Sequence, residues 1–127
     1  MTLGDLLRDT ASRYPDNIAL IRDNRTWTYS EFLQEVQALG NHLRGLGIGK
    51  GDHVALMLPN GPEFPVSYFA VVSLGAVAVT LNIQSTAHEL KHLLGDSDAV
   101  ALITAATTVR RFEEIREVVP QCRHLIV

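Results

Sequence analysis

Four short runs rich in β-branched and small apolar residues constrain the fold more than any other feature of this sequence. They begin at positions 53, 76, 99 and 124, a spacing of about 23 residues, with a helical pattern of apolar residues between each pair. Strands that alternate with helices in this way form βαβ units, whose parallel sheet is covered by helices on both faces. The sequence therefore predicts an α/β fold of three layers. The runs are His53–Leu58, Ala76–Leu81, Ala99–Thr104 and His124–Val127.

The first part of the chain shows a different pattern. Apolar residues from Leu3 to Tyr14 recur at helical spacing, and two short runs, Ile18–Ile21 and Thr26–Thr28, flank a polar turn. These features predict a helix and then a short antiparallel hairpin that lies outside the parallel sheet.

Two threonines mark helix starts. Thr28 and Glu31, and again Thr86 and Glu89, have the spacing of a capping box, in which each side chain bonds to the backbone N–H of the other residue. Glycine and proline mark the expected helix ends. The expected ends are Gly45 and Gly47 for the first of these helices, Gly95 for the second, and Pro120 for a further helix that runs from about Thr108 to Val119.

A long stretch without charge could be taken for a membrane span. Phe64 to Ala87 contains no charged side chain across 24 residues, which is near the length that crosses a bilayer. However, Pro65, Gly75 and Asn82 interrupt it, and its pattern changes from helical to β-branched near Gly75. We interpret the stretch as a buried helix followed by a buried strand, and predict no membrane span.

The charge and cysteine content of the chain bear on its binding partners and its location. The chain is 46% hydrophobic and 20% charged, with a net charge of −3 and no basic stripe, so nucleic-acid binding is not expected. The single cysteine, Cys122, cannot form a disulfide within the chain, and the early charges at Asp5 and Arg8 are unlike a signal peptide. These features predict a cytoplasmic protein.

The segment Leu46–Asp52 contains three glycines and resembles a phosphate-binding loop at first sight. Such a loop follows a strand and opens a helix, so that backbone N–H groups meet the anion. Here the order is reversed, since the segment lies between a helix end and a strand start. We interpret it as a C-cap glycine and a tight turn.

His88-Glu-Leu-Lys-His92 matches the H-E-x-x-H pattern of zinc hydrolases, with Glu113 or Glu114 as a conceivable third ligand. A zinc hydrolase is therefore a remote alternative. In the competing interpretation Glu89 turns back to cap the helix at Thr86, and the two histidines lie on a solvated face. We favour the second interpretation because Glu89 is three residues after Thr86, which is the spacing of a capping box.

No residue of this chain is predicted to be catalytic, cofactor-binding or metal-ligating. His42, His53 and His124 are isolated and are expected to be surface or structural residues, and no serine, cysteine or aspartate lies in a nucleophile-elbow pattern such as G-x-S-x-G. Trp27 is expected to pack against the hairpin.

Five segments, in order along the chain, resemble the sequence signature of one superfamily. Trp27-Thr-Tyr-Ser-Glu-Phe32 resembles its (L/W)-T-Y-x-E-L motif, and the run from Leu46 to Asn60 is similar to its G-x-x-x-G-D-x-V-A-x-x-x-x-N segment. The helix, strand and helix start that follow in that family are similar to Pro62-Glu-Phe64, Leu74-Gly-Ala-Val-Ala-Val-Thr-Leu-Asn82 and Thr86-Ala-His-Glu-Leu90. The chain thus resembles the N-terminal part of the adenylate-forming, or AMP-binding, enzymes. This superfamily includes acyl-CoA synthetases, luciferases and adenylation domains of peptide synthetases.

The resemblance implies an activity for a longer enzyme. Members of this superfamily join a carboxylic acid to ATP as an acyl-adenylate with release of pyrophosphate, and then usually transfer the acyl group to coenzyme A or a carrier. ATP, Mg²⁺ and coenzyme A are implied for that parent enzyme. The family's ATP loop ending in P-K-G, its Y-G-x-T-E motif, its ribose-binding aspartate and its C-terminal lysine do not occur in these 127 residues. Residues 1–127 are therefore expected to be the N-terminal portion of an adenylation domain, and to lack catalytic competence alone.

Two positions depart from the family pattern. Asn82 is followed by Ile83 where a proline is frequent, and Leu81 follows Thr80 where a proline is also common. Loss of the proline after Asn82 predicts a looser loop after the second strand of the parallel sheet.

The expected partners follow from the incomplete sheet. A four-stranded piece of a larger sheet leaves an edge and apolar surface exposed. We therefore expect the remainder of the adenylation domain to be the partner, with self-association through the exposed edge when that remainder is missing. The alternative of another class is a stand-alone α/β interaction or scaffold module without ATP chemistry.

Overall fold

The computed structural model describes residues 3–127 and begins with a helix and a hairpin that stand apart from the main sheet. Helix α1 covers Leu3–Arg13, and strands β1 and β2 cover Ile18–Arg22 and Arg25–Thr28. The two strands pair in antiparallel fashion, and Asp23 in their turn has a φ of 52°. The predicted hairpin outside the parallel sheet is confirmed.

The remainder of the chain alternates between helices and strands, as the spacing of the apolar runs predicts. Each of the four runs forms a strand of the parallel sheet. The elements are α2 (Tyr29–Gly45), β3 (His53–Met57), α3 (Glu63–Ser73), β4 (Val77–Thr80), α4 (Ala87–Ser97), β5 (Ala101–Thr104), α5 (Val109–Ile115), a 3₁₀ turn at Arg116–Val118, and β6 (His124–Ile126).

The four strands lie in the order β4-β3-β5-β6, and every neighbouring pair is parallel. Val54 in β3 lies opposite Ala78 of β4 on one side and opposite Ala101 of β5 on the other. Strand β3 is thus placed in the interior of the sheet, and β4 and β6 form its edges.

Helices cover both faces of the sheet, so the predicted three-layer α/β fold is confirmed. Val54 and Leu56 belong to a hydrophobic cluster on the first face, where α1, α2 and α3 pack. Ala55 and Met57 belong to a second cluster, on the face covered by α4 and α5. We call these clusters the first and the second core.

Both predicted capping boxes are present. The Thr28 hydroxyl accepts from the Glu31 N–H at 3.1 Å, and the Glu31 carboxylate accepts from the Thr28 N–H at 3.0 Å. Thr86 and Glu89 repeat this arrangement, with both bonds at 3.1 Å. Helix α2 ends as expected, with Gly47 at a φ of 89° just beyond it, a conformation that costs glycine no steric strain.

The end of α4 is not where the sequence predicts it. The helix passes Gly95 and continues to Ser97, and Asp98 ends it with a left-handed backbone (φ 54°, ψ 35°). Aspartate tolerates this conformation better than most residues, so it takes the capping role that we expected of glycine. Helix α5 is likewise shorter than expected, because its last turn tightens into the 3₁₀ turn.

The prediction that the second β run is a buried strand is wrong. β4 lies at the edge of the sheet, and Val77 is 44% exposed. The error arises because the sequence shows a strand's apolar character but not its position in the strand order. The preceding helix, α3, is 11 residues long, and no helix within residues 3–127 is long and apolar enough to cross a membrane.

Helix α1 is only partly packed. Leu7 and Ala11 are buried against the first core, whereas Leu3, Leu6 and Tyr14 of the predicted apolar stripe are exposed by 44%, 49% and 54%. The helix therefore presents apolar side chains to solvent as well as to the core.

Candidate functional site

The topology singles out one place on the sheet where a ligand would bind. From β3 the chain turns to α3 on the first face, and from β5 it turns to α5 on the second face. Because β3 and β5 are neighbours, the two connections diverge and leave a crevice outside the carboxyl ends of these strands. Open α/β sheets bind their ligands in such crevices.

A cleft of about 670 Å³ occupies this position. We call it the carboxyl-edge cleft. Its walls are mainly apolar, which suits an apolar ligand or an apolar part of a protein. The lining residues that matter here are Leu58 and Pro59 after β3, Ile103–Thr107 at the end of β5, Leu39 and Val66 from α2 and α3, and Ile126 and Val127.

Two buried threonines join the strand ends at this cleft, and Thr104 is one of its lining residues. The Thr104 hydroxyl donates to the carbonyl oxygen of Met57 at 2.9 Å and lies 2.6 Å from the Thr108 hydroxyl. The Thr108 hydroxyl also lies 3.1 Å from the Ala105 carbonyl oxygen, and its single proton goes either to that oxygen or to Thr104. Thr104 and Thr108 are both buried, so these bonds join the ends of β3 and β5 and shape the turn into α5.

The charged side chains that line the cleft pair with each other. Arg22 lies 3.4 Å from the carboxylate of Glu63, across the gap between the hairpin and α3. Both side chains are about half exposed (51% and 59%), so this pair contributes little stability. The cleft can enclose apolar material. That these residues include no catalytic one stays a prediction.

Trp27 lines a second pocket, which shares Leu39, Glu63 and Val66 with the carboxyl-edge cleft. It is 6% exposed, and the Arg25 guanidinium lies over its ring at 4.4 Å from the centroid. Its indole N–H is buried without a hydrogen-bond acceptor among the described residues. Buried donors are nearly always paired. Trp27 packs as predicted, and its free N–H points to an acceptor supplied by water or by a further part of a protein.

The sequence matches a known protein family along nearly all of its length. A family model described as AMP-binding enzyme matches residues 7–127. The chain belongs to this family.

Within the AMP-binding enzymes, the sequence is similar to acyl-CoA ligases. It is 44% identical over 104 residues to the putative acyl-CoA synthetase YngI of Bacillus subtilis, a match that covers 80% of this chain and 19% of that protein. It is 34% identical over 127 residues to the long-chain-fatty-acid–CoA ligase of Yersinia pestis, covering 99% of this chain and 22% of that protein. The chain thus spans about a fifth of the length of these relatives.

A solved structure also matches this chain along its whole length. The chain superposes over its whole length on 25% of the anthranilate CoA ligase AuaEII, solved in complex with anthranoyl-AMP, with a TM-score of 0.94 and 29% sequence identity. The resemblance to adenylate-forming enzymes expected from the sequence is confirmed, and the matched part is a fraction of a larger adenylation domain.

The described residues do not gather three or more potential metal ligands in one place. Among residues 3–127, no group of three or more histidine, cysteine, aspartate or glutamate side chains could hold a metal ion. That this segment binds neither nucleotide nor Mg²⁺ stays a prediction.

The H-E-x-x-H segment does not form a hydrolase centre. Glu89 is engaged in the capping box at Thr86, which lowers the pKa of its carboxyl, first through the bond from the Thr86 backbone and then through the Thr86 hydroxyl. Neither Glu113 nor Glu114 completes a group of three potential ligands within the described residues. The rings of His88 and His92 lie 4.7 Å apart, centroid to centroid, on the exposed side of α4.

His53 and the glycine-rich segment make structural contacts, whereas the absence of a functional role for His42 and His124 stays a prediction. His53 Nδ1 lies 2.6 Å from the carbonyl oxygen of Ser97, which ties the start of β3 to the end of α4. In the segment Leu46–Asp52, the Asp52 carboxylate accepts from the Gly49 N–H at 2.9 Å. The segment is therefore a turn between α2 and β3 rather than a phosphate site.

Sequence reasoning missed a clamp at the carboxyl edge. Arg111 of α5 donates to the carbonyl oxygens of Ile83 and Ser85 in the loop between β4 and α4. This is the loop that lacks the family's prolines, so Arg111 opposes its predicted loosening. The sequence predicts a partly apolar helix that contains Arg111, but it does not indicate which distant residues this arginine contacts.

Proposed function

We propose that this chain is the N-terminal portion of the adenylation domain of an ATP-dependent carboxylic acid–CoA ligase. The parent enzyme joins the substrate carboxylate to the α-phosphate of ATP, releases pyrophosphate, and then transfers the acyl group to the thiol of coenzyme A. The observation that carries this proposal is the full-length superposition on AuaEII, a CoA ligase whose structure holds an acyl-adenylate.

In this proposal the segment acts as a structural wall. The carboxyl-edge cleft is apolar, and Thr104 and Thr108 join the strand ends at this cleft. The remainder of the adenylation domain seats against this cleft and supplies the acceptor that the Trp27 N–H lacks among the described residues. ATP, Mg²⁺, coenzyme A and the acyl group are held by that remainder, so residues 1–127 alone are not catalytically competent.

The proposed acid is a fatty or aryl acid rather than an amino acid. Support comes from the names of the relatives, which include a long-chain-fatty-acid–CoA ligase and an anthranilate CoA ligase. A role in fatty acid metabolism belongs to the same proposal.

The proposed location is the cytoplasm. Cys122 is buried, unpaired and surrounded by apolar side chains, and this burial raises the pKa of its thiol to about 11. A thiol in this state is neutral near pH 7 and is a poor nucleophile for disulfide exchange. The support for a reducing compartment is therefore that the chain has a single cysteine, which cannot form a disulfide within the chain.

The test begins with the coding sequence beyond codon 127. A continuation that contains the ATP loop ending in P-K-G supports the ligase proposal, and the protein that it encodes is then purified. Pyrophosphate release and thioester formation are measured with palmitate, anthranilate and phenylalanine, each with and without coenzyme A. We expect thioester with palmitate or anthranilate, and no pyrophosphate from residues 1–127 alone.

The wall function is tested by a variant inside the cleft and a matched control outside it. Ala106 is exposed and lines the cleft, whereas Val118 is 57% exposed and lies outside it. Ala106→Trp in the full-length enzyme is expected to lower thioester formation, while Val118→Trp leaves it unchanged. A stop codon after Val127, or a longer protein without ATP-dependent pyrophosphate release, would favour the scaffold alternative instead.

A further inference from the structure

The exposed face of α4 carries a feature that the ligase function does not use. We infer that His88 and His92 form a two-imidazole chelating site for a transition-metal ion such as Zn²⁺, Ni²⁺ or Cu²⁺. The two residues are four positions apart in a helix of 11 residues, so their side chains project from the same face one turn apart. Their ring centroids are 4.7 Å apart.

The packing of α4 keeps both rings accessible. Leu90 and Leu94, on the opposite side of the helix, are fully buried in the second core. His88 and His92 are both exposed, so a hydrated ion can reach them without any rearrangement of the fold. Rotation of exposed side chains is fast, and it allows one ring nitrogen of each imidazole to turn toward a shared ion.

Imidazole is a suitable ligand for this class of ion. Neutral histidine nitrogens bind Zn²⁺, Cu²⁺ and Ni²⁺, with metal–nitrogen distances of about 2.0–2.1 Å for Zn²⁺. Two nitrogens about 3 Å apart would satisfy an ion with nearly tetrahedral or square geometry. Adjacent rings at the observed separation can reach this spacing by side-chain rotation alone.

The proposed site differs from the zinc centre of a hydrolase. Glu89 is held by Thr86 and does not face the pair, and the described residues supply no third ligand. Water would fill the other positions around the ion. The site is therefore a surface chelate that binds metal without hydrolytic activity, and it depends on the helix alone rather than on the proposed ligase function.

The experiment is a calorimetric titration of the untagged chain with ZnCl₂ and NiCl₂, repeated on His92→Ala and on the control His42→Ala. His42 is also exposed on a helix but lies outside the pair. We expect one equivalent of metal to bind the native chain. Because loss of even a supporting partner of a ligand weakens metal affinity by about 10- to 100-fold, His92→Ala should weaken binding by at least tenfold, with His42→Ala unchanged.

A second variant tests the assignment of ligands. Glu89→Gln keeps a hydrogen-bond acceptor for Thr86 but removes the carboxylate, so metal affinity should remain that of the native chain. Two results would overturn the inference: binding that persists in a His88→Ala, His92→Ala double variant, or binding that is lost in Glu89→Gln. Circular dichroism confirms that each variant remains folded, which is expected because all three side chains are exposed.

Discussion

Single residues determine where the helices of this protein begin. Thr28 and Thr86 each bond to a glutamate three positions later, and each glutamate returns a bond to the threonine N–H. These bonds favour the ionised carboxylates, so the pKa values of Glu31 and Glu89 lie below the ordinary 4.5. For both, the bond from the threonine backbone is the largest cause.

The lowered pKa values predict how stability depends on pH. The unfolded chain takes up protons near pH 4.5, whereas the folded chain resists protonation until lower pH, so the contribution of these carboxylates is present above 4.5 and is lost as pH falls through the folded pKa values. In the Glu31→Gln, Glu89→Gln double variant we expect a shallower loss of unfolding free energy between pH 5 and about 3. Urea unfolding at stepped pH measures this slope.

A control separates capping from general acid sensitivity. Glu113→Gln, Glu114→Gln removes two exposed carboxylates that form no capping box. Its pH profile should follow that of the native chain. Equal slopes for the capping variant and the native chain would contradict the assignment of the pKa shifts to the caps.

At the scale of elements, hydrogen bonds from a single side chain of α5 hold the loop between β4 and α4. The Arg111 guanidinium of α5 donates to the carbonyl oxygens of Ile83 and Ser85. Asn82 adds a local turn, because its side-chain oxygen accepts from the Gln84 N–H at 2.8 Å. Hydrogen bonds therefore fix the loop for which the sequence predicts loosening.

Removal of this arginine should release the loop. Hydrogen bonds from a charged group are worth about 1.5–3 kcal/mol, and Arg111 is half-buried, so we expect Arg111→Ala to cost about 1 kcal/mol of unfolding free energy. Hydrogen exchange at Gln84 and Ser85 should accelerate more than exchange in β3. The neighbouring Arg110 is exposed, so Arg110→Ala is the matched control and should leave both measurements unchanged. Similar exchange in the two variants would show that the clamp is not needed.

Local patterns account for the parts of the fold that could be predicted. The capping boxes and β runs depend on residues a few positions apart, so the sequence displays them directly. Contacts of the candidate site are different, because Thr104 bonds to Met57 across 47 positions and Arg111 reaches Ser85 across 26. No local sequence pattern identifies hydrogen-bond partners that are so far apart in the chain. The order of the strands has the same long-range origin, and for this reason β4 was predicted to be buried although it lies at an edge.

At the scale of the whole molecule, the sheet has two open edges and an apolar cleft. Within residues 3–127, β4 and β6 each pair on one side only, and Ile126 and Val127 line the carboxyl-edge cleft. Open edges are templates for pairing with another strand. The same surface that we propose to seat the remainder of the domain is therefore available to a second copy when residues 1–127 are isolated.

We accordingly expect the isolated chain to self-associate. Light scattering after size-exclusion chromatography should show a mass above 14.0 kDa that rises with concentration. Ile126→Lys places a charge on the edge strand beside the cleft, and should shift the population toward monomer. Val118→Lys adds the same charge outside the cleft and away from the strands, and should not. A monomeric native chain at high concentration would refute association through this edge.

Strand β3 has a consequence for how this sequence can change over evolutionary time. Its residues alternate between the two cores, with Val54 and Leu56 in the first and Ala55 and Met57 in the second, and all four are fully buried. A one-residue insertion or deletion would exchange the two sets, because each residue would move to the opposite face. Alanine and methionine would then occupy sites shaped for valine and leucine on the first face, and valine and leucine would occupy sites shaped for alanine and methionine on the second. Lineages can thus vary this strand by replacing side chains, whereas a gain or loss of a codon would disrupt both cores together.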